Sequence, residues 1–450
     1  MLRLLLAIAF LLPAAPRVAA AETEPTFRHE ALKKLLADLK DKNVMIRRQA
    51  ATTLGLPDGS EGKGGPRPRG DLWPAMLALV EAQADADMQV RANAMKSLGL
   101  LMRFRGVVEK NDERFEKIAL AAIAALKDSE GLVRSAAAAS LWQIGIETEK
   151  GRTELLAAMK HDDAKVRAAA AEGARGVRPI GKIAAELGER VGDRDEAVRL
   201  AAVNSLIQAR AEAVPAVKAL IAALRDPGER LTAAAATALG NVGPGAAEAV
   251  PTLADLLADG KGTARTAAAL ALGAIQAQPE IGVPALIGAL ANTETRIYAI
   301  HALRQYGPRA GSAIPALFSH SRDVDGSVFP GALDAIHSID PGSVAYEGLI
   351  LAALFDPKPS VRAYAIGFID RGVGEADPTL LPMLMILFQV DAQARPQLAR
   401  AFAELGPAAR PALPMMMELI GNLNTNASLR RVLINAVNRI DPDLLRPPGK

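Results

Sequence analysis

The stretch LKDSEGLVRSAAAASLWQIG, Leu126–Gly145, contains the whole local pattern that decides the fold. Asp128 stands six residues before Arg134, and an alanine-rich run follows the arginine and closes on Ile144 and a glycine. Alanine has the highest helix propensity, and glycine just past a helix accepts the left-handed conformation that ends it. The stretch therefore predicts a polar turn followed by a short helix that ends near Gly145.

The same pattern recurs along the chain with a nearly fixed period. We call the arginine position, seven residues before a large apolar residue near the helix end (Leu141 in this stretch), the register residue. Most register residues lie 31–33 residues apart, and a period of this size indicates stacked helix pairs. The register residues are Arg47, Arg91, Arg134, Arg167, Arg199, Arg265, Arg296, Arg362 and Arg430, with Thr232, Phe329 and Leu398 in the same place in three further repeats.

Each repeat divides into two short helices. The first, as in VPALIGAL (Val283–Leu290), has apolar residues at helical spacing, and the second follows a polar turn and ends at glycine or Gly-Pro. Half of the chain is hydrophobic but only 4% is aromatic, a balance that favours alanine-rich helices over strands. We predict an all-α solenoid of about twelve antiparallel helix pairs over residues 22–450, with a Gly/Pro-rich loop at 56–70.

An aspartate precedes the register arginine by six residues in most repeats, and this pair predicts a structural ladder. A guanidinium can hold a carboxylate and a turn carbonyl together, so the arginine is expected to bind the aspartate of its own or the neighbouring repeat. A residue used in nearly every repeat serves the stack rather than one ligand. The predicted ladder comprises Asp41 and Arg47, Asp85 and Arg91, Asp128 and Arg134, Asp193 and Arg199, Asp259 and Arg265, and Asp356 and Arg362.

The pattern D-x-x-x-x-V-R-x-x-A-A-x-A-L-G and its period resemble HEAT repeats, closest to the short kind described in phycobilisome lyases, over about residues 28–445. The resemblance implies a right-handed armadillo/HEAT-like superhelix whose second helices line the concave face. It also implies a macromolecular partner, so we expect a non-catalytic binding scaffold that engages a protein or an envelope component along the concave face. A lyase-like role on a chromophore or prosthetic group is the alternative. Phe329-Pro330, Thr232 and Leu398 depart from the pattern, so we expect the ladder to be interrupted and the joints to be softer or bent there.

The first 21 residues have the layout of a secretory signal peptide. A cation in MLR precedes the apolar run Leu4–Leu12, and small residues lead to a plausible cleavage site after Ala21. This predicts export to the periplasm or the cell exterior; an uncleaved anchor is the alternative. Removing the segment lowers the formal charge from +3 to +1, which gives no electrostatic reason to expect nucleic acid as a partner. No later apolar run is long enough to cross a membrane.

Catalytic, metal and cofactor motifs are not found in the sequence. The five histidines form no H-E-x-x-H set, and neither a phosphate-binding glycine loop nor a G-x-S-x-G elbow occurs. Asp323–Gly326 (DVDG) begins like a calcium loop but lacks the later ligands. We therefore expect a protein that is not an enzyme and that carries no cofactor or metal.

A binding surface is expected on the second helices, at the positions two and five after each register residue. These two positions lie one turn apart and away from the packed apolar positions. They hold small residues in the middle of the chain but aromatic and charged residues in the C-terminal third, types that anchor protein interfaces. The candidate partner-binding residues are Tyr298, His301, Asp334, Tyr364 and Arg400; ordinary solvated surface positions are the alternative.

Overall fold

The computed structural model describes residues 29–56, 72–102, 113–321, 328–370 and 380–445. These residues form twenty-four α-helices, and their one β feature is an isolated bridge between Ile146 and Val177. The predicted signal peptide, the loop at 56–70 beyond Leu56 and the DVDG segment lie outside the described residues. The helices alternate as first and second members of twelve pairs, which confirms the predicted all-α architecture.

The pairs are bounded as follows. The first helices are α1 (His29–Asp38), α3 (Trp73–Glu81), α5 (Glu113–Ala125), α7 (Glu149–Met159), α9 (Ala184–Val191), α11 (Val217–Ala223), α13 (Val250–Asp259), α15 (Pro279–Ala289), α17 (Ile314–Ser319), α19 (Val344–Leu354), α21 (Leu381–Val390) and α23 (Leu413–Gly421). The second helices are α2 (Val44–Thr53), α4 (Met88–Leu101), α6 (Gly131–Ile144), α8 (Ala164–Gly173), α10 (Glu196–Ala209), α12 (Glu229–Val242), α14 (Gly262–Ile275), α16 (Arg296–Tyr306), α18 (Phe329–Ile339), α20 (Pro359–Asp370), α22 (Arg395–Leu405) and α24 (Ala427–Ile440).

Contacts divide the chain into two compact units. Unit 1 comprises residues 1–186 and 193–205, and unit 2 comprises residues 187–192 and 206–450. In unit 1 the second helices pack in sequence, α2 against α4, α4 against α6 and α6 against α8. In unit 2 the second helices from α12 to α24 do the same. Each unit is therefore built by sequential stacking of helix pairs, as the period predicts.

Small residues allow the second helices to approach closely. The residue eight after the register is glycine in several repeats, and it faces the residue six after the register on the next second helix. A Cβ added to Gly240 would lie 3.1 Å from the Ala271 Cα, and one added to Gly273 would lie 2.7 Å from the Ala302 Cα. Both distances are shorter than ordinary carbon contacts, and the one at Gly273 is too short for any Cβ, so glycine lets the two helix backbones meet closely.

Six second helices are followed by a residue with positive φ eleven positions after the register. The residues with positive φ are Gly145, Arg210, Gly243, Gln276, Gly307 and Gly406. The spacing shows that the register residue of α22 is Arg395 and that the assignment to Leu398 was wrong. Consistent with this correction, Leu398 is fully buried and Ala403, which the wrong register placed on the surface, is only 7% exposed. The arginine pattern is therefore continued in this repeat rather than broken.

Candidate binding surface and arginine ladder

In the ladder, a register arginine binds the aspartate of the next repeat. Arg91 Nε donates to Asp128 Oδ2 at 2.7 Å, and Arg91 Nη2 donates to Asp128 Oδ1 at 2.9 Å. Arg167 grips both carboxylate oxygens of Asp193 at 2.8 and 2.9 Å in the same way. Equivalent pairs join Arg47 to Asp85 and Arg362 to Asp391. Asp391 was not among the predicted ladder residues, because it stands four residues before the register residue Arg395 rather than six.

The same arginine also holds its own turn together. Arg91 Nη1 donates to the carbonyl oxygen of Asp85, six residues before it, at 2.9 Å. Asp85 Oδ1 in turn accepts the backbone N–H of Asp87, which closes an Asx turn between the two helices. Arg47, Arg134, Arg199 and Arg362 make the same contact with the carbonyl oxygens of Asp41, Asp128, Asp193 and Asp356. One guanidinium therefore binds a turn carbonyl within its repeat and, where a carboxylate follows, a second repeat.

Thr232 takes over half of the arginine's role. Its hydroxyl donates to the Asp226 carbonyl oxygen at 2.9 Å, the same i−6 carbonyl that the arginines bind. The threonine side chain is too short to add the contact that a ladder arginine makes with the next turn. The turn is therefore preserved at this departure from the sequence pattern.

Arg265 does not join the predicted ladder. Its Nε donates to the Leu257 carbonyl oxygen at 2.9 Å and its Nη2 donates to that of Ala258, so the guanidinium is turned onto its own helix pair. Arg395 is turned in the same way, onto the carbonyl oxygens of Phe388 and Gln389. Within the described residues the Asp259 carboxylate makes no contact with Arg265. The carbonyl contacts of Arg265 replace the expected pair.

Charge pairing lowers the pKa of the ladder carboxylates. The hydrogen bonds from Arg91 hold the pKa of Asp128 below its usual value. In a parallel pair at the start of α4, hydrogen bonds from Arg48 lower the pKa of Asp87 to about 2, and the backbone N–H groups of Gln89 and Val90 add to the effect. These carboxylates are therefore ionised in the folded chain at neutral pH.

The second helices expose most of the positions that the sequence indicated, but Ala136 and Ala169, two residues after the register in α6 and α8, are buried. The position five after the register is exposed or half-buried from Thr52 in α2 to Asn435 in α24, with Arg400 rather than Ala403 in α22. Where side chains meet, this position contacts the position two after the register on the next second helix. Asn93 Nδ2 donates to Thr52 Oγ1 at 2.9 Å in unit 1, and Tyr364 Oη donates to Asp334 Oδ1 at 3.2 Å in unit 2.

Two of the five candidate residues, Asp334 and Tyr364, are thus in direct contact. Asp334 also lies 3.9 Å from Nη1 of Arg304, and the Tyr364 ring packs edge-on against Phe329 at 6.2 Å. The cluster spans the three successive second helices α16, α18 and α20. The sequence analysis missed Arg304 because it read only two positions of each helix, whereas Arg304 stands at the eighth position, which is exposed in α16.

An apolar patch lies beside this cluster on α14 and α16. It consists of Leu270, Ile297 and Tyr298, which are 41%, 55% and 39% exposed. Leu270 and Tyr298 occupy the two positions that meet in the contacts above, so they are neighbours on adjacent helices. His301 lies one turn along α16 from Tyr298 and is 3.1 Å from the Gln305 amide. Arg400 is exposed on α22 and does not share a described contact with the other four candidates.

Neither a metal site nor a membrane span stands out among the residues described. Within those ranges, no group of three or more His, Asp or Glu side chains is arranged to hold a metal ion. A search of the same ranges finds no helix with the length and apolar character that membrane crossing requires.

Comparison with known proteins identifies the architecture. A family model for HEAT repeats matches residues 152–240, 184–273 and 217–294 in overlapping windows. A crystal structure of importin beta in polyethylene glycol aligns with a TM-score of 0.60 and 15% identity, over 92% of this chain and 65% of that one. Kap121p bound to Pho4p aligns with a TM-score of 0.58 and 13% identity, over 91% of this chain and 49% of that one.

These similarities show the fold, a HEAT/armadillo-type helical solenoid, because the identities are too low to carry function. The chain spans about half to two-thirds of the length of these two proteins. No curated protein gives a significant sequence match.

Proposed function

We propose that this chain is a non-catalytic binding scaffold that engages a protein partner along the exposed face of its second helices in unit 2. The observation that carries the proposal is the apolar patch of Leu270, Ile297 and Tyr298 on adjacent helices. Exposed aromatic and aliphatic side chains rimmed by charged residues are typical of protein interfaces. The fold supports the proposal, since Kap121p, which shares it, has been crystallised with the protein Pho4p bound.

The polar cluster beside the patch gives the surface its expected selectivity. Asp334 is held by Tyr364 and lies near Arg304, so its carboxylate is oriented and yet partly exposed. Oriented charges at an interface rim favour one partner over another and fix the way it docks. We expect the partner to place apolar side chains on the patch and polar or cationic groups over Asp334.

Photo-crosslinking in the native cell tests this proposal. A crosslinking amino acid at position 270 or 298 is expected to capture one discrete protein. Leu270→Asp or Tyr298→Asp, combined with the crosslinker at the other position, should abolish that capture, because a charge would have to be buried against the partner. Thr237→Asp is the matched control, since Thr237 occupies on α12 the position of Leu270 on α14 and is also exposed.

The proposal is wrong if no discrete species is captured, or if Thr237→Asp reduces capture as strongly as Leu270→Asp. Helical circular dichroism of each variant shows whether the solenoid has been kept. Thr237, Leu270 and Tyr298 are exposed, so their substitution should leave the helical signal unchanged.

We also propose that the scaffold acts after export, in the periplasm or outside the cell. The support is the signal-peptide layout of residues 1–21. N-terminal sequencing of the protein recovered from the native cell envelope or medium is expected to begin at Glu22. Recovery of the chain with its first 21 residues intact from the cytoplasmic fraction would contradict export.

A further inference from the structure

A groove of about 510 Å³ lies in unit 2 between the C-terminal parts of α13 and α15. Leu257, Pro284 and Ala285 line it with apolar surface, and Arg265 and Asn292 line it with polar groups. The groove is on the side of the first helices and turns. It therefore involves none of the residues of the proposed partner-binding patch.

The ladder shows what a guanidinium in this position binds elsewhere in the chain. Arg47, Arg91, Arg167 and Arg362 are each paired with a carboxylate from the turn of the following repeat. The turn that follows Arg265 has Asn292 instead. Asn292 Oδ1 accepts the backbone N–H groups of Glu294 and Thr295, just as Asp391 Oδ1 accepts those of Gln393 and Ala394. The turn is thus conserved in form, but its side chain supplies no negative charge.

Arg265 consequently lines the groove without a carboxylate from its own chain among the contacts described. Its Nε and Nη2 are held by the carbonyl oxygens of Leu257 and Ala258, while the described contacts leave Nη1 unengaged. A fixed guanidinium next to apolar surface attracts a carboxylate more strongly than one in open water does, since the neighbouring surface excludes solvent.

We propose that this groove binds a carboxylate supplied by another molecule, with Arg265 as its cationic partner. The carboxylate would occupy the place that an aspartate takes in the other repeats. The groove is much larger than a single ion needs, so the ligand is expected to be a peptide that adds an apolar side chain against Leu257 and Pro284. Its carboxylate can come from an aspartate or glutamate side chain or from a chain terminus.

Nuclear magnetic resonance of the chain labelled with ¹⁵N-arginine tests this inference. The Arg265 Nε–Hε signal is assigned by its loss in Arg265→Lys, and it is followed during titration with acetyl-Ala-Leu-Glu-Leu-Ala-amide. We expect a saturable shift of this signal with the glutamate peptide. The same amidated peptide with glutamine should give none, and the glutamine peptide with a free C-terminus reports whether a terminal carboxylate also binds.

Asn292→Asp provides the decisive variant, because it places the missing carboxylate within the chain. The Arg265 signal should then move without peptide, and the glutamate peptide should bind at least tenfold more weakly. Asn422→Asp is the matched control, since Asn422 has the equivalent place in the turn before α24 and accepts the N–H of Asn424. It adds the same charge elsewhere and should change the affinity by less than twofold.

Three results would overturn the inference. They are a glutamate peptide that produces no saturable shift, a glutamine amide that binds as tightly as the glutamate peptide, and an equal loss of binding in Asn292→Asp and Asn422→Asp. None of these results bears on the partner-binding patch, because the crosslinking experiment uses other residues.

Discussion

Replacing Gly273 by alanine should destabilise the stack, although alanine is the better helix former. The new Cβ would lie 2.7 Å from the Cα and 2.8 Å from the Cβ of Ala302 on the neighbouring helix α16. Carbon atoms in ordinary contact are about 3.5–4.0 Å apart, so α14 and α16 would have to separate by about 1 Å. Neither Ala302 atom can rotate away, whereas the nearby Gln305 side chain can.

The magnitude follows from two opposing contributions. Overpacking of a close-packed interior costs about 1–3 kcal/mol, and the gain in helix propensity from glycine to alanine is about 1 kcal/mol. We expect Gly273→Ala to lower the free energy of unfolding by up to about 2 kcal/mol. Gly367→Ala, the matched control in α20, has no atom within 4 Å of its new Cβ and should gain about 0.5–1 kcal/mol.

Urea unfolding followed by circular dichroism compares the two variants, and hydrogen exchange locates the effect. Because each repeat contacts mainly its neighbours, exchange should accelerate in α14 and α16 and stay unchanged in α22 and α24. The reasoning about close helix approach is refuted if Gly273→Ala proves as stable as Gly367→Ala, or if its exchange rates change uniformly along the chain.

Three further predictions concern the turns. The pKa of Asp87 in the folded chain, about 2, lies below its usual 3.8. The ionised carboxylate therefore stabilises the fold fully above pH 3.8, and this contribution is lost as the pH falls toward 2. In urea unfolding between these pH values, Asp87→Asn should flatten the fall of the midpoint. Thr232→Val should cost about 1 kcal/mol in urea unfolding through the lost bond to the turn carbonyl, and Thr232→Ser should cost clearly less. A double-mutant cycle of Asp128→Asn with Arg91→Ala should give a coupling of about 1.5–3 kcal/mol, and a coupling near zero would remove the ladder's energetic role.

The fold was predictable because its determinants are local and repeated. Helix propensity, the apolar spacing and the glycine at the helix end all act within one repeat, and the period then places the repeats side by side. The register of α22 failed for an equally local reason. Arg395 is followed by proline rather than by the usual small residues, and Leu398 stands seven residues before the apolar Leu405 as a register residue would. Counting back eleven residues from Gly406, whose φ is +57°, identifies Arg395.

The candidate surface was predictable only in part, since a contact between helices depends on two registers at once. The contact between Asp334 and Tyr364 joins a position five after one register residue to a position two after the next. Each position was recognised separately as exposed, but their pairing needed the offset between neighbouring helices. Arg304 was missed because the exposed arc of a second helix is wider than the two positions that were read, which lie only about 60° apart around the axis.

For Arg265 and Arg395, the lack of pairing with the next repeat coincides with an asparagine in the following turn. Aspartate and asparagine both close an Asx turn, because either side chain offers an oxygen to the backbone N–H two residues on. Only aspartate also presents a charged oxygen to the arginine of the preceding repeat. Arg265 and Arg395 are followed by turns with Asn292 and Asn422, and both are rotated onto their own carbonyl oxygens. Turn formation and cross-repeat pairing are therefore separable in this chain, and Asn292→Asp tests whether one exchange of nitrogen for oxygen redirects Arg265 while the fold is kept.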